Sequence, residues 1–284
     1  MARMSSHVHR LRDALLASHA PGITQVMAAA YTVVASVTER RLCRISPRGG
    51  LWLHTWTEGA VFFDKPSVHP IQQVRILFPL FFYDYTPELG DVVIDIGAGV
   101  GSDTAEFSRL VGPAGRVISI EAHPRTAATC QQLVDHLGLE NVQVINAAVT
   151  DRAVDVWITD DAASLGNHLS SSGLRVRGDR LGVLLNEVGV TRVDFAKVNI
   201  EGAERELLLG MDGSTVDVRQ WCVSCHDFLT GEEFETIDFV AAWLRDSGYS
   251  VRRYPSVDSI PSAEFYVYGS RPVSAGVPSE GVGH

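Results

Sequence analysis

No apolar run in this chain is long enough to cross a bilayer: the stretch from Ile23 to Thr38 is interrupted by Thr24, Gln25, Thr32 and Ser36. A short signal-like apolar core with a cleavage site is also missing near the N-terminus, so a cytoplasmic location and no membrane partner are expected. Cysteine is scarce, 4 in 284 residues, which leaves no basis for a disulfide framework. Cys222 and Cys225 do form C-x-x-C, but they sit in a strand-like run, Trp221 to Phe228, where residues three apart point to opposite faces. A shared zinc or a redox pair is therefore not expected, and all four thiols are read as reduced. Basic residues are also in deficit. Lys and Arg total 24 against 34 Asp and Glu, and the net charge of −10 argues against a nucleic-acid partner, whose phosphates would need neutralising. A small or neutral acceptor suits this balance better.

The most informative segment is Asp95-Ile96-Gly97-Ala98-Gly99-Val100-Gly101. Val92, Val93, Ile94 and Ile96 read as a buried parallel strand, and the glycines after it let the backbone turn sharply and bring its amides close to a ligand. A dinucleotide fingerprint requires G-x-G-x-x-G, but Ser102 occupies the third of those glycine positions. The D-x-G-x-G-x-G form suits S-adenosylmethionine better than NAD. A second strand follows, Arg116 to Glu121, and ends in the carboxylate expected to accept hydrogen bonds from ribose hydroxyls.

The spacing predicts an N-terminal cap over residues 1–85, a nucleotide-binding domain over 86–270 and a flexible tail over 271–284. The cap reads as two helices, Val8 to Ser18 and Ile23 to Thr38, followed by a β-hairpin in which Leu51 to Thr57 and Ala60 to Phe63 flank Glu58-Gly59. From Asp91 strands and helices alternate, which calls for an α/β Rossmann-like sheet of seven strands, mostly parallel with an antiparallel last strand, and helices on both faces. Helices are expected over Ser102 to Val111, Pro124 to Gly138, Arg180 to Val188 and Ala203 to Leu209. A further helix is expected from a capping box at Thr230-Gly231-Glu232-Glu233, with Phe234, Ile237, Ala241 and Leu244 on one face. Strands are expected over Val142 to Val149, Val154 to Thr159, Val193 to Ile200, Val218 to Phe228, Ser250 to Tyr254 and Glu264 to Tyr268. Asp160 to Gly178 is rich in Ser, Gly and Asp.

Ligands of such a sheet bind beyond the carboxyl ends of its strands. Asp95, Gly97, Ala98, Gly99, Gly101 and Ser102 are the expected donor-binding turn, with Glu121, Ala122 and His123 on the ribose and adenosine side and Asn146 and Ala147 bordering the adenine. On the fourth strand Phe195, Lys197, Asn199 and Glu201 share a face by alternation. Either Lys197 and Glu201 compensate each other there, or Asn199 binds the amino group of the methionine moiety and Glu201 orients an acceptor. His226 ends the fifth strand and is a candidate general base, since an unperturbed imidazole titrates near 6.5; a histidine packed against backbone is the alternative. His54, His69 and His168 are weaker candidates. Trp52, Trp56, Phe62, Phe63, Phe81, Phe82, Tyr83 and Tyr85 either wall the pocket or pack the extension onto the sheet.

Three blocks together resemble the FkbM family of class I S-adenosylmethionine-dependent methyltransferases: Gly90 to Gly99, Glu121-Ala122-His123-Pro124, and Asp194-Phe195-Ala196-Lys197-Val198-Asn199-Ile200-Glu201-Gly202-Ala203-Glu204. The resemblance covers about residues 80 to 270. It implies a seven-stranded fold and methyl transfer to small molecules, often hydroxyls of sugars or secondary metabolites. Two positions depart from the family pattern. Asn199 stands where many relatives carry Asp, which counts against a metal or a base at that position, and Ala98-Gly99 replaces a frequent Ala-Asn. The expected catalytic set is His226, Glu201 and Asn199. N-methylation of an amino sugar, a non-catalytic metabolite-binding protein and an NAD-dependent oxidoreductase are the competing readings.

Overall fold

The computed structural model describes residues 21–160, 169–170, 172–228, 231, 235–255 and 263–271. The expected helix over Val8 to Ser18, His168, the capping residues Thr230, Glu232 and Glu233 with Phe234, and the tail beyond Arg271 lie outside them.

The described chain opens with α1 (Pro21–Thr38), which carries no charged residue. The antiparallel strands β1 (Cys43–Arg48), β2 (Leu51–Trp56) and β3 (Gly59–Phe63) follow. The β2–β3 hairpin turns at Thr57-Glu58, close to the expected position. β1 was not expected, and Pro47 lies within it. It pairs only with β2, and an edge strand is where a missing N–H is tolerated. Two short helices, α2 (Pro70–Arg75) and α3 (Phe78–Phe81), lead into the main sheet.

That sheet alternates β4 (Val92–Ile96), α4 (Ser102–Val111), β5 (Arg116–Glu121), α5 (Pro124–Leu137) and β6 (Val142–Asn146). Helix α5 starts on Pro124, is capped by the His123 side chain and stops at Gly138, whose φ is 61°. The expected eight-residue third strand is cut at Asn146. Beyond it, β7 (Ala148–Val149) leaves the main sheet and joins a four-stranded sheet with β8 (Val154–Ile158), β9 (Leu169–Ser170) and β10 (Leu174–Asp179), in the order β7-β10-β8-β9. The Ser-, Gly- and Asp-rich composition of Asp160 to Gly178 gives no strand signal over Leu174–Asp179. The Leu-Arg-Val-Arg alternation there is a real strand, with Arg175 paired to Asp155 and Arg177 to Glu187 on the solvent side.

The chain returns through α6 (Leu181–Glu187), β11 (Arg192–Val198), α7 (Glu204–Leu209), β12 (Asp217–Ser224), α8 (Ile237–Asp246), β13 (Ser250–Arg253) and β14 (Tyr266–Ser270). The seven-stranded order is β13-β14-β12-β11-β4-β5-β6, with β14 antiparallel to both neighbours and the five strands on its other side mutually parallel. The order reverses at β4, so the crevice at its carboxyl end is where such a sheet takes a ligand.

Alternation sorts the sheet residues into two cores. Ile94, Ile96, Ile118, Ile120, Ala196, Val198, Trp221 and Val223 pack under α6, α7 and α8, while Val93, Val117, Phe195 and Cys222 pack with Phe107 and Val111 of α4 and with Leu80 and Phe81 of α3. The N-terminal sheet rests on α4 and α5, where Leu53, Ala60 and Phe62 meet Val100 and Leu133. Most of the aromatics considered for a pocket wall are used in packing. Trp52 is buried beside Ile45 and Ile71, Phe63 meets His54 edge-on, Phe82 meets Phe107, and Tyr83 lies against Tyr254 and Tyr268. Among the described residues no helix is long and apolar enough to cross a membrane.

Candidate active site

At the end of β4 the glycines serve different purposes. Gly97 has φ of 74°, and a Cβ on it would stand 1.9 Å from the carbonyl oxygen of Asn199. This glycine is demanded by the neighbouring strand end, which is tied to β4 by Asn199 N–H donating to Ile96 O at 2.9 Å. Gly101, with φ of 90°, lets α4 lie close to Cys130 of α5. Gly99 is half-exposed, and its N–H donates to Glu121 Oε2 at 2.9 Å. The other oxygen, Oε1, accepts the His123 N–H at 2.9 Å. Burial pushes the Glu121 carboxyl above its usual range, with these two amides opposing the shift.

Asp95 differs from the expectation of a donor contact. Its carboxylate is fully buried beneath the turn, accepting from Thr104 Oγ1 at 2.8 Å and from Lys197 Nζ at 2.9 Å. Lys197 also donates to Gly97 O at 3.0 Å and lies 3.4 Å from Asp103 Oδ2. Burial would lower the pKa of this ammonium, but the two carboxylates outweigh it and raise it. Asp103 in turn is pushed up to about 6, by burial first and by Asp95, with Lys197 opposing. The expected compensation of Lys197 by Glu201 is therefore replaced by an Asp95–Lys197–Asp103 cluster that holds the turn from below. The expected shared face fails for a geometric reason. Strand β11 ends at Val198, and the chain then bends through Glu201 (φ 52°) and Gly202 (φ 101°), so alternation no longer governs Asn199 or Glu201.

Asn146 also takes a different place. Its Nδ2 donates to the carbonyls of Glu121 and Ala122 at 2.8 and 2.9 Å, which pins the turn after β5. Ala147 is buried. His123 is buried as the cap of α5, with Nε2 3.3 Å from Asp160.

His226 lies just past the end of β12, buried between two carboxylates. Its Nδ1 is 2.7 Å from Glu204 Oε1 and its Nε2 is 3.5 Å from Glu201 Oε1. Burial alone would lower its pKa, but Glu201 and Glu204 outweigh that and lift it to about 9. Glu204 is fully buried, and also accepts from Thr236 Oγ1 at 3.2 Å and from the Gly202 N–H at 3.2 Å. Glu201, on the loop joining β11 to α7, keeps 31% of its side chain exposed. Phe228, 53% exposed, stands 5.5 Å from the His226 ring and 5.5 Å from Phe265, ring centre to ring centre.

A cleft of about 1310 Å³ lies elsewhere, against Arg116 and Val142 where β5 and β6 begin. Of the expected donor-binding residues only Ser102 lines it; Glu121, Glu201 and His226 do not.

Residues 95–251, more than half of the chain, match the Methyltransferase FkbM domain. The chain belongs to the FkbM methyltransferase family. Among curated relatives, 56 residues (20% of this chain) are 41% identical to protein-L-isoaspartate O-methyltransferase 2 of Archaeoglobus fulgidus. A stretch of 88 residues (31% of the chain) is 32% identical to the AMB antimetabolite synthetase AmbE of Pseudomonas aeruginosa. The matched stretches span only 26% and 4% of those two proteins. Among solved structures, an FkbM methyltransferase from Methylobacillus flagellatus KT is similar over 67% of this chain and 47% of its own, at 15% identity and a TM-score of 0.48. Aeropyrum pernix fibrillarin with bound S-adenosyl-L-methionine is similar over 79% of this chain and 96% of its own, at 14% identity and a TM-score of 0.44.

In this FkbM methyltransferase the sequence reading missed Glu204, Thr236, Asp103 and Thr104. A signal for Glu204 was present. It follows Glu201 by three residues, the spacing that brings two side chains to one side of a helical turn, and both lie in the Glu-Gly-Ala-Glu block. The two C-x-x-C thiols are buried, and burial raises both well above the ordinary range. Among the described residues no group of three or more metal-ligating side chains comes together.

Proposed function

We propose that this methyltransferase carries out O-methylation of a ring hydroxyl on a small sugar or secondary-metabolite acceptor, with His226 as the proton acceptor. The arrangement that supports this reading is the imidazole between Glu201 and Glu204, on a strand end two positions from the glycine turn in the sheet.

The donor-side residues fit S-adenosylmethionine. Gly99 brings a half-exposed backbone to the crevice, and the Glu121 carboxylate is aimed by two amides while keeping lone pairs for ribose hydroxyls. Ala98 and Ala122 lie in the turns after β4 and β5, Ser102 opens α4 and His123 caps α5. Asn199, whose backbone carbonyl stands against Gly97, is the residue assigned to the amino group of the methionine moiety. Asp95, Gly101, Asn146 and Ala147 act from behind by fixing the backbone. When bound, the donor supplies an electrophilic methyl group on sulfur. The protein has to align an acceptor oxygen with that methyl and take up its proton. Glu201 accepts a hydrogen bond from the acceptor, the Nε2 of neutral His226 takes the proton, and exposed Phe228 offers an apolar wall to the ring.

A histidine held near 9 is largely a cation at neutral pH, so turnover should rise with pH along a limb centred near 9. Replacing His226 by Ala and measuring kcat at saturating donor above that limb should cost 10²-fold or more, since general-base catalysis contributes on that order. A loss below about tenfold overturns the base assignment. A product methylated on nitrogen, from a panel of sugars and amino sugars, overturns the oxygen assignment.

A further inference from the structure

Glu204 is a fully buried carboxylate beside His226, and its bonds go to three protein donors. One oxygen takes His226 Nδ1 at 2.7 Å and the Gly202 amide at 3.2 Å, and the other takes the Thr236 hydroxyl at 3.2 Å. A buried ionised carboxylate is costly unless its lone pairs are used, and here three donors from three segments meet it. Two consequences follow for the imidazole. Its ring is held in one orientation, with Nε2 directed at partly exposed Glu201, and its Nδ1 keeps the proton, so Nε2 is the nitrogen that exchanges one. The charged groups facing His226 are Glu201 from the loop after β11 and Glu204 from α7. The adjacent Asp227 turns away and accepts from the backbone N–H groups of Thr236 and Ile237. On the remaining side the ring meets Phe228, which is uncharged.

We propose that Glu204 is the positioning residue of the reaction: it fixes the orientation and protonation of His226 and acts on methyl transfer only through that histidine. This inference rests on the base reading above. The test is a cycle of His226→Ala, Glu204→Gln and the double variant, with kcat and the donor and acceptor KM measured from pH 6 to 10. NMR titration of the His226 ring accompanies it.

Glutamine keeps the shape of Glu204 and can still accept from Nδ1, but it removes a charge. In Glu204→Gln the ring pKa should fall by at least about one unit, toward the unperturbed value near 6.5, and the pH–rate limb should fall with it. Plateau kcat should drop about tenfold because the base is weaker, with the donor KM unchanged. Added to His226→Ala, the same substitution should change kcat less than twofold, since residues acting as a unit are not additive. Should Glu204→Gln fail to fold, Thr236→Val withdraws a donor from the carboxylate and should move the limb in the opposite direction, to higher pH. If His226→Ala stays within tenfold of the parent, the base reading fails and the positioning role with it. If His226→Ala is inactive but Glu204→Gln leaves the limb in place, or adds a full independent loss in the double variant, the positioning role alone is overturned.

Discussion

Two histidines show how far the surroundings decide what a side chain does. His54 and His226 are both almost fully buried, yet their pKa values move in opposite directions. His54 has only neutral partners. Its Nδ1 bonds the Trp52 carbonyl at 3.0 Å and its Nε2 accepts the Ser67 N–H at 2.9 Å, and burial lowers it to about 4. His226 lies between two carboxylates and is raised to about 9. The consequences for stability have opposite signs. Below about 6.5 the unfolded chain takes up a proton that folded His54 refuses, so stability falls as the pH drops from 6.5 toward 4, by up to about 3 kcal/mol. The His226 contribution is complete below 6.5 and is lost as pH rises through 9. Urea midpoints measured from pH 4 to 10 should therefore peak near 6.5, and His54→Gln should flatten the acid side while leaving the alkaline side unchanged. Nothing in the sequence separates these two histidines, because their partners come from other segments.

Helix ends were legible only where the signal was local. Pro124 and Gly138 bracket α5 as their types predict. The start of α8 was not local. A capping box was expected at Thr230, but the helix begins at Ile237, where Asp227, just beyond β12, accepts from the backbone N–H groups of Thr236 and Ile237 at 3.1–3.2 Å. A cap supplied from nine or ten residues upstream leaves no fixed spacing to read. Asp227→Ala should lower stability by about 1 kcal/mol, and because the same loop carries His226 it should also reduce kcat; Asp227→Asn should recover most of the stability in a thermal melt. Strand β10 shows the converse error, since a Ser- and Gly-rich neighbourhood obscured a four-residue alternation.

At the scale of the whole molecule, a seven-stranded, mostly parallel sheet with an antiparallel last strand was readable, because it depends on repeated periodicity, whereas the order of its strands was not. Nor were the side-chain pairings. One alternative set Lys197 against Glu201 on the same strand face, whereas the register of β11 against β4 places it beside Asp95. Gly97 illustrates the same limit, being a ligand glycine by motif and a packing glycine by contact. Gly97→Ala should abolish donor binding by calorimetry and lower the melting temperature, since both its φ of 74° and the Asn199 carbonyl at 1.9 Å exclude a methyl group.

That contact couples two jobs. The Asn199 carbonyl is pressed against the glycine turn, and Glu201, two residues further on, lies beside the histidine. On the proposed assignment of donor and base, the span between methyl source and proton sink is gauged by a few tightly seated peptide units. Anything that shifts one jaw of this vice must drag the other with it.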